Sequence, residues 1–280
     1  MIIVQIYGSL GEQMFQYAFG RRVALIHNKP LKLDISAFEN TLDTYQLDHF
    51  KIKATIAEKR DVCQLINLHH LRSDNISQID KSLFPIETSI ENDPYIITVR
   101  DNTYLSGHCW TIKYFAKIID YLRKEFSVNS LPSANNKHYL KHMQKENSVA
   151  VFLFKKTSTD LNIATLSQDY YYRAIETIAN KLKNPVFYLF SNQPEYFQNI
   201  ISINYPHIWM QENQGINNFF EDFRLMKSCK HQIIANTASS WWPAWLNDYK
   251  KKIVICPTTW QESPDEPEDF LPNHWLKLNN

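Results

Sequence analysis

Several features are scarce or missing in this chain of 280 residues, and each absence narrows its chemistry. The four cysteines form no C-x-x-C pair and lie at no zinc-finger spacing from a histidine, which indicates reduced thiols rather than a structural zinc site. Neither D-x-D nor H-E-x-x-H occurs, so we expect no bound metal. The formal net charge is only +1, which argues against nucleic acid as a partner.

Long apolar runs are also missing. The opening stretch from Met1 to Gly8 has the length of a strand and is shorter than a signal sequence or a membrane span. No later segment is long and apolar enough to span a bilayer. We therefore expect a cytoplasmic protein.

What the chain does contain is enough apolar and aromatic surface for two cores, with 44% hydrophobic residues. Strand-like and helix-like segments alternate, which predicts an α/β fold with parallel sheets. Ile112 to Leu122 repeat at three- and four-residue steps and predict one helix over 110–126. Polar residues 127–136 predict a linker, so we expect domains at 1–130 and 146–280, divided between 127 and 147.

A glycine turn follows the first predicted strand and opens a helix, in the string from Gly8 through Gly11 to Ala18. Glycines here let backbone amides approach a phosphate or sugar, and a helix N-terminus adds partial positive charge. By itself the turn is a weak signal, because such turns are common between strands and helices.

As a string, however, the opening closely resembles the G-G-L-G-N-Q-M-F-Q-Y-A start of glycosyltransferase family 11, the α-1,2-fucosyltransferases. The resemblance continues through the second strand and is densest near the C-terminus, around Asp222, Ala235-Asn236, Ser240-Trp241-Trp242 and Asn273-His274-Trp275. It covers nearly the whole chain, and we identify the chain as a member of this family.

The resemblance implies a GT-B-like architecture of two Rossmann-like domains facing a cleft, the N-terminal one binding the acceptor and the C-terminal one the nucleotide-sugar. It implies inverting, metal-independent transfer of fucose or a related sugar, with GDP-fucose the expected donor and no cofactor. The expected partners are the nucleotide-sugar and a glycan acceptor in surface-polysaccharide (O-antigen, LPS or capsule) synthesis. Membrane association would be at most peripheral, at the inner face of the inner membrane, through a lipid-linked acceptor.

The family's phosphate motif, H-x-R-R-x-D, is altered. In the matching register its histidine is Phe152, its two arginines are Phe154 and Lys155, and its aspartate is Thr157. A guanidinium grips a diphosphate through two hydrogen bonds, whereas lysine is a single mobile charge and phenylalanine has none. Three histories fit: decay of an inactive enzyme, re-tuning to another donor or acceptor, and ordinary fucosyl transfer by a loosened site. An inactive homologue would act as a glycan- or partner-binding protein.

The candidate site residues follow from this alignment. We expect catalytic roles for Glu12 and Lys155 and acceptor binding by His108 and Trp110. The expected donor-binding residues are Gly8, Gly11, Gln13, Lys155, Lys156, Asn236, Thr237, Ser239 and Ser240.

Some of these residues also have plain structural interpretations. Glu12 replaces the family's asparagine; it could accept the acceptor's proton as a base, or only complement the helix dipole. Trp241, Trp242 and Trp245 are better explained as packing residues than as sugar platforms. The remaining carboxylates worth testing are Asp160, Asp169 and Asp222.

Overall fold

The computed structural model describes residues 1–41, 43–70, 102–107, 109–157, 163–213, 215, 218–260 and 270–280. The chain divides into two compact units, residues 1–127 and 128–280. His108 and Asp160, and the short strand predicted at 95–99, lie outside the described residues.

The first unit is built on a parallel sheet with the described strand order β3-β2-β1-β4. Its strands are β1 (Ile2–Gln5), β2 (Leu31–Asp34), β3 (Thr55–Ile56) and β4 (Thr103–Leu105). Its helices are α1 (Leu10–His27), α2 (Lys59–His70) and α3 (Ile119–Glu125). Short 3-10 turns lie at Ser36–Asn40, Leu47–His49, Ile112–Tyr114 and Ala116–Ile118.

Helix α1 packs directly onto β1 and β2. A Cβ added at Gly20 would lie 2.9 Å from Val4 Cγ1 and 3.1 Å from Leu31 Cδ1. Glycine is therefore required at this position by close approach, and the contact fixes where the N-terminus of α1 meets the end of β1.

The prediction of a single helix over 110–126 is wrong. Two 3-10 turns precede α3, and Phe115 between them has φ −138°, outside the helical range. That backbone turn buries the Phe115 ring completely, with its centroid 5.8 Å from that of Phe15. The three- and four-residue apolar spacing fits this arrangement as well as it fits a helix.

The second unit contains a parallel sheet with the described order β10-β9-β8-β5-β6-β7. Its strands are β5 (Asn147–Leu153), β6 (Pro185–Ser191), β7 (His207–Trp209), β8 (His231–Ile233), β9 (Val254–Pro257) and β10 (Leu276–Leu278). Its helices are α4 (Ala134–Lys145), α5 (Gln168–Ala179), α6 (Pro194–Ile200), α7 (Phe219–Ser228) and α8 (Ala238–Leu246).

The predicted linker is shorter than expected, because α4 begins within it at Ala134. The Ser133 hydroxyl caps this helix by accepting a hydrogen bond from Asn136 N–H at 3.1 Å. Serine and asparagine here form a helix start, which composition alone did not distinguish from a flexible segment.

Strand β5 is covered on both faces, as expected for the centre of a parallel sheet. Val149, Val151 and Leu153 pack into one apolar cluster. Ala150 and Phe152 face the other cluster, with α4 and α7. The core of the second unit therefore lies on both sides of the seven-residue strand β5.

Candidate functional site

The order of strands reverses once in the second sheet. From β5 the chain proceeds through β6 and β7 on one side, then returns to place β8, β9 and β10 on the other. In open parallel sheets ligands bind at such a reversal, outside the carboxyl ends of the two strands. Here those ends carry Lys155 and Lys156 after β5, and Asn236 and Thr237 after β8.

Helix α8 begins at this edge and presents its N-terminus there. Thr237 is its N-cap, and the Ser240 hydroxyl donates to the carbonyl of Ala235 at 2.8 Å. Both hydroxyls are thus used in shaping the turn, and both residues are buried. Half-buried Ser239 and the first-turn amides are the groups at this helix start that suit a phosphate.

Asn236 has a different role from its predicted neighbours. Its amide nitrogen donates to the carbonyls of Ala164, at 2.5 Å, and Trp260, at 3.0 Å. Asn236 is 1% exposed. It ties together the chain that follows β5 and the chain that follows β9, and so holds this edge of the sheet in shape.

Lys155 is fixed by two residues that the sequence analysis did not identify. The Asn192 side chain accepts from Lys155 N–H and donates to Lys155 C=O, both at 2.9 Å. The Lys155 ammonium lies 3.6 Å from the ring centroid of Tyr196, in α6. An asparagine directly after the buried strand β6 was the only sequence signal for this arrangement.

The two phenylalanines of the altered motif pack with the core, Phe152 as a buried residue and Phe154 as a partly buried one. Phe152 is 5% exposed, and its ring centroid lies 6.1 Å from that of Phe219. Phe154 packs against the same cluster, while its N–H donates to Tyr171 Oη at 3.0 Å. Aromatic packing has therefore replaced the cationic and imidazole groups of the family motif at these two positions.

The first sheet reverses in the same manner, with β1 and β4 as neighbours. Ser106 Oγ donates to Gln5 Oε1 at 2.6 Å just beyond these strands. Gly8, Gly11, Glu12 and Gln13 follow β1, and half-buried Trp110 follows β4. The described sequence-predicted residues of this unit, which do not include His108, thus follow two neighbouring strands at one sheet edge.

Within this turn, Glu12 and Gln13 are both engaged. Glu12 Oε2 accepts from the N–H and the hydroxyl of Ser9, each at 2.8 Å. Gly8 has φ +76°, and a Cβ there would lie 2.5 Å from the same oxygen. Gln13 is fully buried and donates to the carbonyls of Gly8 and Thr44. The turn is therefore held by the residues that the alignment suggested for ligand binding.

Two other groups beside this turn have altered acidity. Burial, the Cys109 thiol and the Glu12 carboxylate together raise the pKa of Tyr7 to about 12. Burial also raises the pKa of the Cys109 thiol, and Cys109 has a left-handed φ of 57°. Both side chains are therefore neutral near pH 7.

The tryptophans of α8 are confirmed as packing residues. Trp241 and Trp242 are fully buried, and the Trp241 ring stacks on Trp245 at 5.4 Å and on Phe270 at 5.5 Å. Asp169, in the first turn of α5, forms an exposed pair with Arg173. In the described parts of the chain no three His, Cys, Asp or Glu residues come together to hold a metal ion.

Asp222 is a carboxylate with shifted acidity near the start of α7. It accepts a hydrogen bond from Asn213 Nδ2 at 2.9 Å. Burial, with a smaller contribution from the charge of Glu221, raises its pKa to about 7. Because the folded-state pKa exceeds the unfolded value, the contribution of Asp222 to stability is greatest at low pH and is lost as pH rises through about 7.

We expect Asp222→Asn to remove this dependence while keeping the hydrogen bond from Asn213. Relative to the parent, the variant should gain about 2–3 kcal/mol in unfolding free energy between pH 5 and pH 8. Urea unfolding at both pH values measures this. His231, whose pKa burial lowers to about 4, acts in the opposite direction below pH 6.5 but is common to both proteins. An equal difference between the two proteins at both pH values would contradict the expectation.

Two Rossmann-like units, each with candidate residues at the reversal of a parallel sheet, form the architecture that many nucleotide-binding α/β proteins share. The chain belongs to glycosyl transferase family 11, whose sequence profile matches residues 1–279. It is a glycosyltransferase by family. In the part of the chain that the structure describes, no helix is both long and apolar enough to cross a membrane.

Two Escherichia coli proteins are similar over nearly their full lengths. An alpha-1,2-colitosyltransferase is 26% identical over 291 residues, covering 99% of each chain. The O-antigen biosynthesis glycosyltransferase WbnK is 28% identical over 308 residues, covering 97% of this chain and 98% of its own.

Solved fucosyltransferases share the fold at low identity. A mutant of Arabidopsis thaliana FUT1 in complex with GDP gives a TM-score of 0.53 at 10% identity, covering 90% of this chain and 69% of its own. The fucosyltransferase NodZ from Bradyrhizobium gives 0.51 at 10% identity, covering 86% and 92%. These similarities confirm the α/β class with Rossmann-like units.

Proposed function

We propose that this protein is an inverting, metal-independent glycosyltransferase that moves fucose or a related sugar from a nucleotide-sugar to a glycan hydroxyl in O-antigen synthesis. The observation that carries the proposal is the meeting of Lys155, Lys156 and the α8 N-terminus at the carboxyl ends of β5 and β8. A diphosphate needs local positive charge and amide donors, and this edge has both. The names of the two Escherichia coli relatives support the sugar class and the pathway.

In this proposal the residues divide the chemistry as follows. Lys155 stabilises the negative charge that develops on the leaving diphosphate, while Lys156, Ser239 and the amides of α8 bind it. Glu12 takes the proton of the acceptor hydroxyl, and Trp110 contacts the acceptor. GDP-fucose is the donor to test first, because solved relatives of the same fold include a complex with GDP.

The first test is stabilisation by nucleotide. A ligand at 100 times its dissociation constant adds about 2.7 kcal/mol to the unfolding free energy. We expect GDP to raise the melting temperature in the absence of divalent metal, and to do so more than UDP, CDP or TDP. If none of the four nucleotides moves it, the donor site has no support.

The second candidate is a silent homologue that binds a glycan or a partner protein. The observation favouring it is the packing of buried Phe152 and partly buried Phe154 with the core, at positions where the family motif has histidine and arginine. If the full chain binds a glycan but shows neither a nucleotide effect nor sugar transfer, this alternative is selected.

Neutralising the lysines tests the diphosphate site directly. We expect Lys155→Ala and Lys156→Ala each to weaken GDP binding by about 1.5–3 kcal/mol, the contribution of a charge-assisted hydrogen bond. Higher salt should reduce the effect, because both side chains are partly exposed. Titration calorimetry on parent and variants measures it.

Exposed Lys250, which precedes β9, gives a matched control as Lys250→Ala. Its GDP affinity should equal that of the parent. If all three alanine variants bind GDP as the parent does, the lysines do not hold the diphosphate.

A further inference from the structure

Helix α4 concentrates positive charge on its outer surface. It contains Lys137, Lys141 and Lys145, together with His138 and His142, and has no acidic residue. The three lysines are exposed and recur every four residues, so they form one ridge along the helix. Since the net charge of the whole chain is +1, this ridge is a local feature.

The opposite surface of α4 fixes the helix in the second unit. Met143 is fully buried in the cluster beneath it, and Asn136 Nδ2 donates to Glu221 Oε2 at 3.0 Å. Among the described residues, none of the three ridge lysines forms an ion pair, whereas His142 pairs with Glu146 at 3.2 Å. The ridge is therefore rigidly presented, and the carboxylates that contact this helix, Glu146, Glu212 and Glu221, bind its other side chains rather than the three lysines.

An exposed apolar side chain lies at the N-terminal end of the same helix. Leu131 is 85% exposed, the most of any large apolar side chain in the described residues. The segment that carries it is held in place, because Arg224 Nη2 donates to the carbonyl of Ser130 at 2.9 Å. Leu131 thus projects from an ordered backbone immediately before α4.

We propose that Leu131 and the ridge of Lys137, Lys141 and Lys145, together the lysine face, dock on an anionic lipid surface. Attachment to a membrane surface gains from both buried apolar area and cations near anionic lipid, and an exposed leucine preceding a helix with a row of lysines supplies one of each. The helix has lysines and no arginine. Lysine, a compact charge on a flexible stem, suits diffuse surface charge better than a paired carboxylate on a protein. The proposal does not depend on the donor site.

Vesicle co-sedimentation of the full chain tests the proposal. We expect binding to phosphatidylcholine vesicles that contain roughly 30 mol% phosphatidylglycerol, a content of anionic lipid high enough to attract lysines. We expect no binding to vesicles of pure phosphatidylcholine. Each lysine near such a surface contributes about fivefold to the partition constant. The partition constant of the triple variant Lys137→Gln, Lys141→Gln, Lys145→Gln should therefore fall about 100-fold. Leu131→Ser, introduced alone into the parent, should also weaken binding.

The matched control removes the same charge elsewhere, as Lys250→Gln, Lys251→Gln, Lys277→Gln, at exposed positions near β9 and β10. It should bind within about threefold of the parent, since distant charges are screened. An equal loss in both triple variants, or no binding of the parent to anionic vesicles, would overturn the proposal. Binding of a poly-glutamate peptide through the ridge, with none to vesicles, would assign the face to an acidic polypeptide instead. GDP affinity should be unchanged in the ridge variant, which separates this test from that of the donor site.

Discussion

Replacing Asn236 by aspartate should destabilise the second unit by about 3–5 kcal/mol at pH 7, the usual cost of an unpaired buried charge. Asparagine donates from one nitrogen to the carbonyls of Ala164 and Trp260. A carboxylate of the same shape cannot donate, and it would face two carbonyl oxygens in a site that is 1% exposed. Urea unfolding of parent and variant measures the loss.

The pH dependence of Asn236→Asp identifies the cause. Burial beside carbonyl oxygens should raise the pKa of the new carboxyl above its unfolded value of about 3.9. The destabilisation should therefore be smallest at acid pH, where the protonated group can donate one hydrogen bond, and should grow as pH rises. A loss that is the same at pH 4.5 and pH 8 would indicate a packing defect instead.

Asn236→Ala separates stability from ligand binding. It leaves both carbonyls without their donor but introduces no charge, so we expect a smaller loss of about 1–3 kcal/mol. If GDP protects the parent but not this variant when both are folded, the loops that Asn236 joins form part of the donor site.

Local pattern explains much of the fold. The sequence pattern predicts a strand over 149–154 and a helix over 239–246, and the structure has them at Asn147–Leu153 and Ala238–Leu246. Apolar periodicity and glycine turns depend on neighbouring residues, so they are readable from the sequence. Helix α6 and the short edge strands were not predicted, because an element of only a few residues shows too little apolar periodicity to be recognised.

The candidate site divides in the same way. Resemblance to the family placed Lys155 and Asn236 after strands that the sheet order brings side by side. It did not indicate that Asn192 and Tyr196 hold Lys155, since those contacts join segments 37 and 41 residues apart and follow from the pairing of β5 with β6. Nor did it show that Asn236 is a structural donor, because composition cannot reveal which carbonyls lie opposite an amide.

A second long-range contact stabilises the first unit. Glu125, at the end of α3, is 5% exposed and accepts from Tyr17 Oη at 2.5 Å. Arg21, on α1 and 104 residues away in sequence, donates to both of its carboxylate oxygens at 2.8–3.0 Å. Tyr17 Oη also accepts from Lys53 N–H at 2.8 Å, so one carboxylate organises three segments.

We expect Glu125→Gln to lower the unfolding free energy of the first unit by about 3 kcal/mol. The amide keeps the shape of the carboxylate but leaves the Arg21 guanidinium, whose side chain is 15% exposed, without its counter-charge. Arg173 and Asp169 form a guanidinium–carboxylate pair of the same kind, but their side chains are 39% and 72% exposed. Asp169→Asn should therefore cost at most about 0.5 kcal/mol.

The double variant Arg21→Met, Glu125→Leu distinguishes the cost of a broken pair from the value of the intact one. Removing both charges leaves no unpaired ion in the core, so much of the stability lost in Glu125→Gln should return, even though the hydrogen bond to Tyr17 is also lost. Chemical unfolding of the parent, Arg21→Met, Glu125→Leu and the double variant completes the cycle. If the double variant is less stable than Glu125→Gln by more than about 1 kcal/mol, the hydrogen bonds around Glu125 contribute more to stability than is recovered by removing the unpaired charge of Arg21.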